Sequence, residues 1–173
     1  MLEVVTLAPG ARPALATRAT DRVAGFAVDR GDAERELRAR TDRLDVLAQR
    51  LYAEGTRAVL VVLQGMDTSG KDGAIKNVFR GMSPSGTRVA AFKAPSESEL
   101  AHDYLLRVHS QCPERGHVGI FNRSHYEDVL AARVRGGLAP KRVKQRYRHI
   151  NEFERLLTDE GTTVVKCFLH LSK

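Results

Sequence analysis

Tryptophan is absent from this sequence, cysteine occurs only twice, and no apolar run approaches the length needed to cross a membrane. Cys112 and Cys167 form no metal-binding or disulfide framework, and a reduced, cytosolic setting fits them best. The N-terminus has no basic start followed by an apolar block, so the expectation is a soluble, cytoplasmic protein without a membrane partner. Acidic residues are outnumbered, 21 against 28 lysines and arginines, which gives a net charge of +7 and a pI near 9.8. An anionic partner is in keeping with that balance, but charge alone does not choose among a polyphosphate, a nucleotide, a nucleic acid and an acidic membrane. No aromatic-rich basic strand and no known reader motif is present, which weighs against nucleic acid. At 173 residues the chain supports one domain with a real core.

What is present is concentrated between Ala58 and Gly73, AVLVVLQGMDTSGKDG. The apolar run Ala58 to Leu63 is too short for an ordinary helix, is rich in valine, and suits a strand buried on both faces. Gly65, Met66, Asp67, Thr68, Ser69, Gly70 and Lys71 follow, then Ile75, Val78, Phe79 and Met82 at helical spacing. Strand, glycine-bounded loop, lysine and helix, in that order, make a phosphate-binding loop. Its glycines let backbone N–H groups turn toward one point. The helix N-terminus adds positive potential there, and Lys71 adds a full charge. The residues Gly65 through Gly73 are therefore the candidate phosphate cradle. One position departs from the usual pattern: Asp72 follows the lysine where Ser or Thr commonly holds magnesium. Asp67 lies inside the loop, where a carboxylate would repel phosphates unless a divalent cation stood between them. The competing role for Asp67 is that of a turn-stabilising residue.

Before this loop, residues 1–31 carry Pro9, Gly10, Pro13 and Gly25 without sustained periodicity and read as a loosely ordered arm. From Asp32, its expected cap, a helix should carry Leu37, Leu44, Leu47 and Leu51 as an apolar seam and stop at Gly55. Beyond the loop and its helix, Thr87 to Phe92 reads as a second strand, broken by Lys93-Ala94-Pro95. Ser96 and Glu99 form a capping box for a helix with Leu100, Tyr104 and Val108 on one face and His102, Asp103 and Arg107 on its polar side.

His117 to Phe121 is the third strand, and the polar run Asn122-Arg123-Ser124-His125-Tyr126-Glu127-Asp128 follows it. Polar residues crowding the end of a buried strand mark where open parallel sheets bind ligands. Arg123 would face the same crevice as Lys71. Glu127 and Asp128 are candidates to hold magnesium directly or through water, and Arg133 to add a phosphate contact, unless it is an exposed helix charge. Ser124 and Glu127 equally fit a capping box. Gly136 and Gly137 end that helix. Pro140 opens another, with Val143, Tyr147, Ile150, Phe153 and Leu157 as its core stripe. The basic run Lys141, Arg142, Lys144, Arg146 and Arg148 is either a solvated face or part of a polyanion track. Thr162 to Leu169 is the fourth strand. Four strands with helices between them and no hairpin signal give an α/β, doubly wound parallel sheet with helices on both faces.

The stretches LQGMDTSGKDG, SPSGTRVAAFKAPSESELAHDYLLRVH and GHVGIFNRSHYEDVLAARV together closely resemble the polyphosphate kinase 2 family, over about Asp29 to Lys173. The resemblance implies a P-loop kinase-like fold related to the thymidylate kinases. It also implies phosphoryl transfer between inorganic polyphosphate and nucleotides with Mg2+. On that pattern Asp67 and Lys71 correspond to essential loop residues, and Arg123 to an arginine that contacts phosphates. Asn122 and the residues after it look like the branches that phosphorylate AMP or ADP. Family members continue beyond the Leu-His-Leu-Ser-Lys segment into a basic lid, another strand and a last helix, so residues 32–173 are expected to be a domain incomplete at its C-terminus. A complete member is expected to form a homo-oligomer.

The expected catalytic set is Asp67, Lys71, Arg123, Glu127 and Asp128, with Asp67 and Asp128 as the metal ligands. The acceptor oxygen is ionised at neutral pH, so positioning and charge neutralisation should supply most of the rate. An ATP-dependent nucleoside monophosphate kinase on the same fold is one alternative. A lidless chain that binds polyphosphate or nucleotide without turnover is another.

Overall fold

The computed structural model describes residues 6–8, 10–18, 20, 29–134 and 137–171, with the backbone alone for 131–134. Its centre is a parallel sheet of β1 (Ala58–Gly65), β2 (Thr87–Ala91), β3 (Val118–Asn122) and β4 (Thr162–Leu169), in the order β2-β3-β1-β4. The pairs β1–β3, β1–β4 and β2–β3 are all parallel, with Val61 beside Ile120 and Val165, and Ala91 beside Asn122. The inner strands β1 and β3 carry Leu60, Val62, Ile120 and Phe121, each at most 1 % exposed. That is why these segments read as continuous apolar runs rather than alternating ones: helices cover both faces. Among the described residues β4 pairs along one side only, and its Val165 and Phe168 are 42 % and 49 % exposed.

One face is covered by α4 (Leu106–His109) and α6 (Pro140–Asp159). There Val108, Phe153 and Leu157 meet Leu60, Val62, Phe92 and Phe121. On the other face α1 (Arg30–Glu54) and α2 (Lys71–Val78) bring Leu44, Ala48, Leu51 and Ile75 onto Leu63, Val118 and Ile120. Each buried aliphatic or aromatic side chain contributes about 1.5–3 kcal/mol. The α6 stripe is as expected at Val143, Ile150, Phe153 and Leu157, while Tyr147 lies at its margin. No described helix is long and apolar enough to cross a membrane.

Four local expectations are revised. The α1 helix starts at Arg30 after Asp29, with Asp32 in its first turn rather than at its cap. Its inward seam runs from buried Thr41 through half-buried Leu44, Ala48 and Leu51, leaving Leu37 and Leu47 38 % and 49 % exposed. Thr41 is tolerated inside because its hydroxyl donates to the Leu37 carbonyl at 2.8 Å. Gly55, at φ +65°, ends the helix as expected.

The single helix expected after Ser96 is instead two short pieces, α3 (Glu97–Leu100) and α4. Ser96 and Glu99 do form the capping box. Asp103 then accepts from the amides of Leu105 and Leu106 at 3.0 and 3.2 Å, restarting the chain as a new helix. Ser124 does not cap α5 (Glu127–Val134) by a reciprocal box: its hydroxyl accepts from the Tyr126 amide at 3.2 Å. Of the N-terminal arm, residues 1–5, 9, 19 and 21–28 lie outside the described residues, as does Gly136. The described part includes a one-turn 3-10 helix at Leu15–Thr17, and the Arg18 carbonyl lies 3.3 Å from His170 Nε2.

Candidate phosphate-binding cleft

β1 and β3 are neighbours at the centre of the sheet, and the chain leaves their C-terminal ends in opposite directions, β1 into α2 and β3 into α5. A cleft of about 460 Å³ opens there, lined by residues 67–72, by Ala91 to Ala94, and by Asn122 and Arg123. Open α/β sheets bind ligands at this kind of switch point.

The loop is built on two conformational demands. Gly70, at φ +82°, precedes α2 in the left-handed region that favours glycine, and its carbonyl accepts from Ala74 at 2.8 Å. Gly65 is required for space: a Cβ there would stand 2.8 Å from the Leu169 carbonyl on β4 and would strike the Ser69 hydroxyl. Thr68 and Arg123 are both non-glycine residues at positive φ, +68° and +63°. Backbone strain of this kind gathers at ligand sites, and two of the three described instances line one cleft, the third being Ala14 in the N-terminal arm.

Lys71 is nearly buried, and its ammonium donates to the carbonyls of Gly65 and Met66 at 2.9 and 2.8 Å and to the Ser69 hydroxyl at 3.4 Å. Three donors with three acceptors leave none spare, so at least one of these bonds must open for a phosphate oxygen. Gly65 and Met66 thus serve by holding Lys71 rather than by lining the cleft, and the Met66 side chain is 70 % exposed. Gly73 also lies outside the lining, with open space where a Cβ would be.

Across the cleft Arg123 pairs with Asp67 at 3.0 Å, through a carboxylate that is 86 % exposed. Such a pair holds little energy, so either member is free to exchange its partner. Asn122 donates to Asp72 at 2.5 Å, tying the first turn of α2 to the end of β3. The cleft therefore carries Lys71, Lys93 and Arg123 against Asp67 and Asp72. Lys93 was not singled out from the sequence, where it read only as a strand breaker. A cation directly after a strand, at the end where β1 also carries its loop, was the available signal.

The second half of the expected catalytic set lies behind this cleft rather than in its lining. Asp128 is 15 % exposed and its carboxylate is 3.4 Å from Arg107, while its carbonyl accepts from Arg146 at 2.6 Å. Glu127 Oε1 accepts from the Gln64 amide nitrogen at 3.3 Å, and the Gln64 oxygen accepts from the hydroxyl and amide of Ser124 at 2.9 and 3.2 Å. Arg133 is on α5, with its side chain outside the described residues.

Behind the same turn, Glu154 on α6 accepts from His125 Nε2 at 3.2 Å, the Tyr126 hydroxyl at 2.9 Å and Lys166 at 2.6 Å. Burial raises the Glu154 pKa, but the hydrogen bonds from His125, Lys166 and Tyr126 more than offset it and hold the carboxyl at about 2. Burial and the neighbouring Glu154 carboxylate push the Tyr126 hydroxyl up. These bonds fix the segment that follows Arg123 to α6 and β4.

A parallel sheet with a glycine-bounded phosphate loop at the end of a central strand, opening on a cleft at the switch point, defines a P-loop, kinase-like α/β fold. Residues 27–173 match the family described as Polyphosphate kinase 2 (PPK2), and the chain belongs to that family. Among curated relatives, the AMP/ADP-polyphosphate phosphotransferase of Meiothermus ruber is 63 % identical over 132 residues, covering 76 % of this chain and 49 % of the relative. The ADP-polyphosphate phosphotransferase of Rhodopseudomonas palustris is 44 % identical, covering 79 % of this chain and 52 % of its own. The crystal structure of Polyphosphate Kinase 2 from Arthrobacter aurescens TC1 superposes with a TM-score of 0.91 at 40 % identity, over 98 % of this chain and 61 % of that one. The chain spans about half the length of these curated relatives.

Proposed function

We propose that this protein transfers phosphoryl groups between inorganic polyphosphate and a nucleotide, AMP or ADP, in a Mg2+-dependent reaction. The observation that carries the proposal is the one cleft in which the Lys71 loop and the Asp67–Arg123 pair face the same space. The names of the curated relatives, phosphotransferases acting on polyphosphate with AMP or ADP, support the substrate class.

The residues fit magnesium in one particular way. Among the described residues no three His, Cys, Asp or Glu side chains gather to hold a metal. Mg2+ is commonly held by one or two carboxylates together with substrate phosphates, and the exposed Asp67 carboxylate in the cleft suits that role. Asp128, held by Arg107, does not line the cleft, so the proposal rests the metal on Asp67. When bound, the ion would neutralise charge between two anionic substrates.

The chain's own groups then do the rest. Lys71 and the loop amides cradle one phosphate chain. Arg123, released from Asp67, turns its guanidinium to the equatorial oxygens of the moving group. The acceptor is a phosphate oxygen already ionised near neutral pH, so no general base is required, and alignment with charge neutralisation provides the rate. The same proposal places the protein in the cytoplasm, with assembly into a homo-oligomer.

The test incubates the protein with Mg2+ and either polyphosphate plus AMP or ADP, or ATP plus AMP, and resolves the nucleotides chromatographically. Product from the polyphosphate arm, lost in folded Lys71→Ala and Asp67→Ala variants, is the expected result. Product from the ATP arm alone would refute the reading in favour of an ATP-dependent kinase.

A further inference from the structure

Arg107 has a side chain that is 8 % exposed, an unusual depth for a residue expected on a polar helix face. Its Nη1 donates to the Lys93 carbonyl at 3.0 Å and lies 3.8 Å from Glu99 Oε2, and its Nη2 reaches Asp128 Oδ2 at 3.4 Å. The guanidinium carbon stands 5.6 Å from the Phe92 ring centroid. Phe92 is itself fixed edge-on to Phe121 at 4.8 Å, and its amide donates to the Asn122 carbonyl at 3.1 Å. One buried cation therefore fastens the Phe92–Lys93 wall of the cleft to the first turn of α5, a few residues after Arg123.

Lys93 is the opposite case. Its side chain is exposed, it lines the cleft, and among the described residues its ammonium forms no ion pair. Its backbone is held from behind while its charge is left free in front. A flexible surface lysine needs no such anchor.

We propose that Lys93 contacts a phosphate group of the substrate not held by the Lys71 loop, and that Arg107 with Asp128 is the positioning strut that aims it. The inference rests on the phosphotransferase reading above. It assigns Asp128 to holding the cleft wall in place of metal binding. The phosphate belongs either to the nucleotide or to polyphosphate, and the two arms of the experiment distinguish them.

The test measures binding of ADP, AMP and medium-chain inorganic polyphosphate by calorimetry in Mg2+, for the wild type and for Lys93→Met, Lys93→Arg, Arg107→Lys and Asp128→Asn. Lys93→Met is expected to weaken one class of ligand about ten- to a hundredfold, the range for losing a hydrogen bond to a charged group. Lys93→Arg should stay within about threefold of wild type, since it keeps the charge. Arg107→Lys keeps a charge but loses the planar fork, and should weaken the same ligand class and leave the other unchanged. Combined with Lys93→Met it should add nothing further, because both act through one contact. Asp128→Asn should act in the same direction with an unaltered Mg2+ half-saturation.

Equal binding of both ligand classes by Lys93→Met and wild type would overturn the inference. So would a tenfold change in the Mg2+ requirement of Asp128→Asn, or additive effects of Lys93→Met and Arg107→Lys. A wild type that binds neither polyphosphate nor nucleotide would overturn the functional reading itself, and is distinguishable on that ground.

Discussion

Replacing Glu154 by glutamine removes a titrating group while keeping its shape, and the consequence should depend on pH in a calculable way. The carboxylate is 12 % exposed and gathers His125, Tyr126 and Lys166. Its folded pKa of about 2 lies below the ordinary 4.5. A depressed acid pKa contributes stability that is fully present above the unfolded value and is lost as pH falls through the folded one. The window is therefore roughly pH 4.5 down to 2. That separation, at about 1.4 kcal/mol for each tenfold change in proton affinity, sets a ceiling near 3 kcal/mol. Lys166, 47 % exposed, adds little by itself.

For a chain of this size about 2–4 °C of Tm accompanies each kcal/mol. Melting curves followed by circular dichroism should then place Glu154→Gln below wild type at pH 7 by up to roughly 6–12 °C. The difference should hold to about pH 5 and close toward pH 2.5. A difference that persists unchanged at pH 2.5, or is missing at pH 7, would show that this carboxylate does not hold the segment after Arg123 to α6 and β4.

Gly65→Ala should cost about 1–3 kcal/mol by overpacking, because its Cβ would press on the Leu169 carbonyl at 2.8 Å; an unaltered urea midpoint would contradict this. Arg123→Gly separates strain from function. Relief of the φ +63° backbone offsets glycine's extra chain entropy, so stability should stay within about 1 kcal/mol while phosphoryl transfer is lost. A folded Arg123→Gly protein with full turnover would remove Arg123 from the mechanism.

The sheet and the phosphate loop are legible because their signals are local: a valine-rich run, a loop bounded by Gly65 and Gly70, an amphipathic helix behind. The Lys71 loop and Arg123 line one cleft because both follow buried strands. What the sequence did not show depends on distant partners. Nothing near Arg107 in the chain reveals that Asp128, 21 residues on, will neutralise it, so Asp128 looked free for a metal. Nothing near Lys93 reveals that its carbonyl is anchored. Of the expected α1 seam, Leu44 and Leu51 face the core and Leu37 and Leu47 do not, because Thr41, polar by type, satisfies itself on the Leu37 carbonyl and takes an inward place. Asp103 was seen as a polar-face residue, although its carboxylate restarts the helix.

The one-sided pairing of β4 reaches further than its place at the rim suggests. Leu169 is in register with Gly65, at the root of the phosphate loop. Any strand laid along the outer border of β4 would run roughly 10 Å, two strand spacings, from that root. A neighbour docking there would be separated from the loop by a single backbone, that of β4.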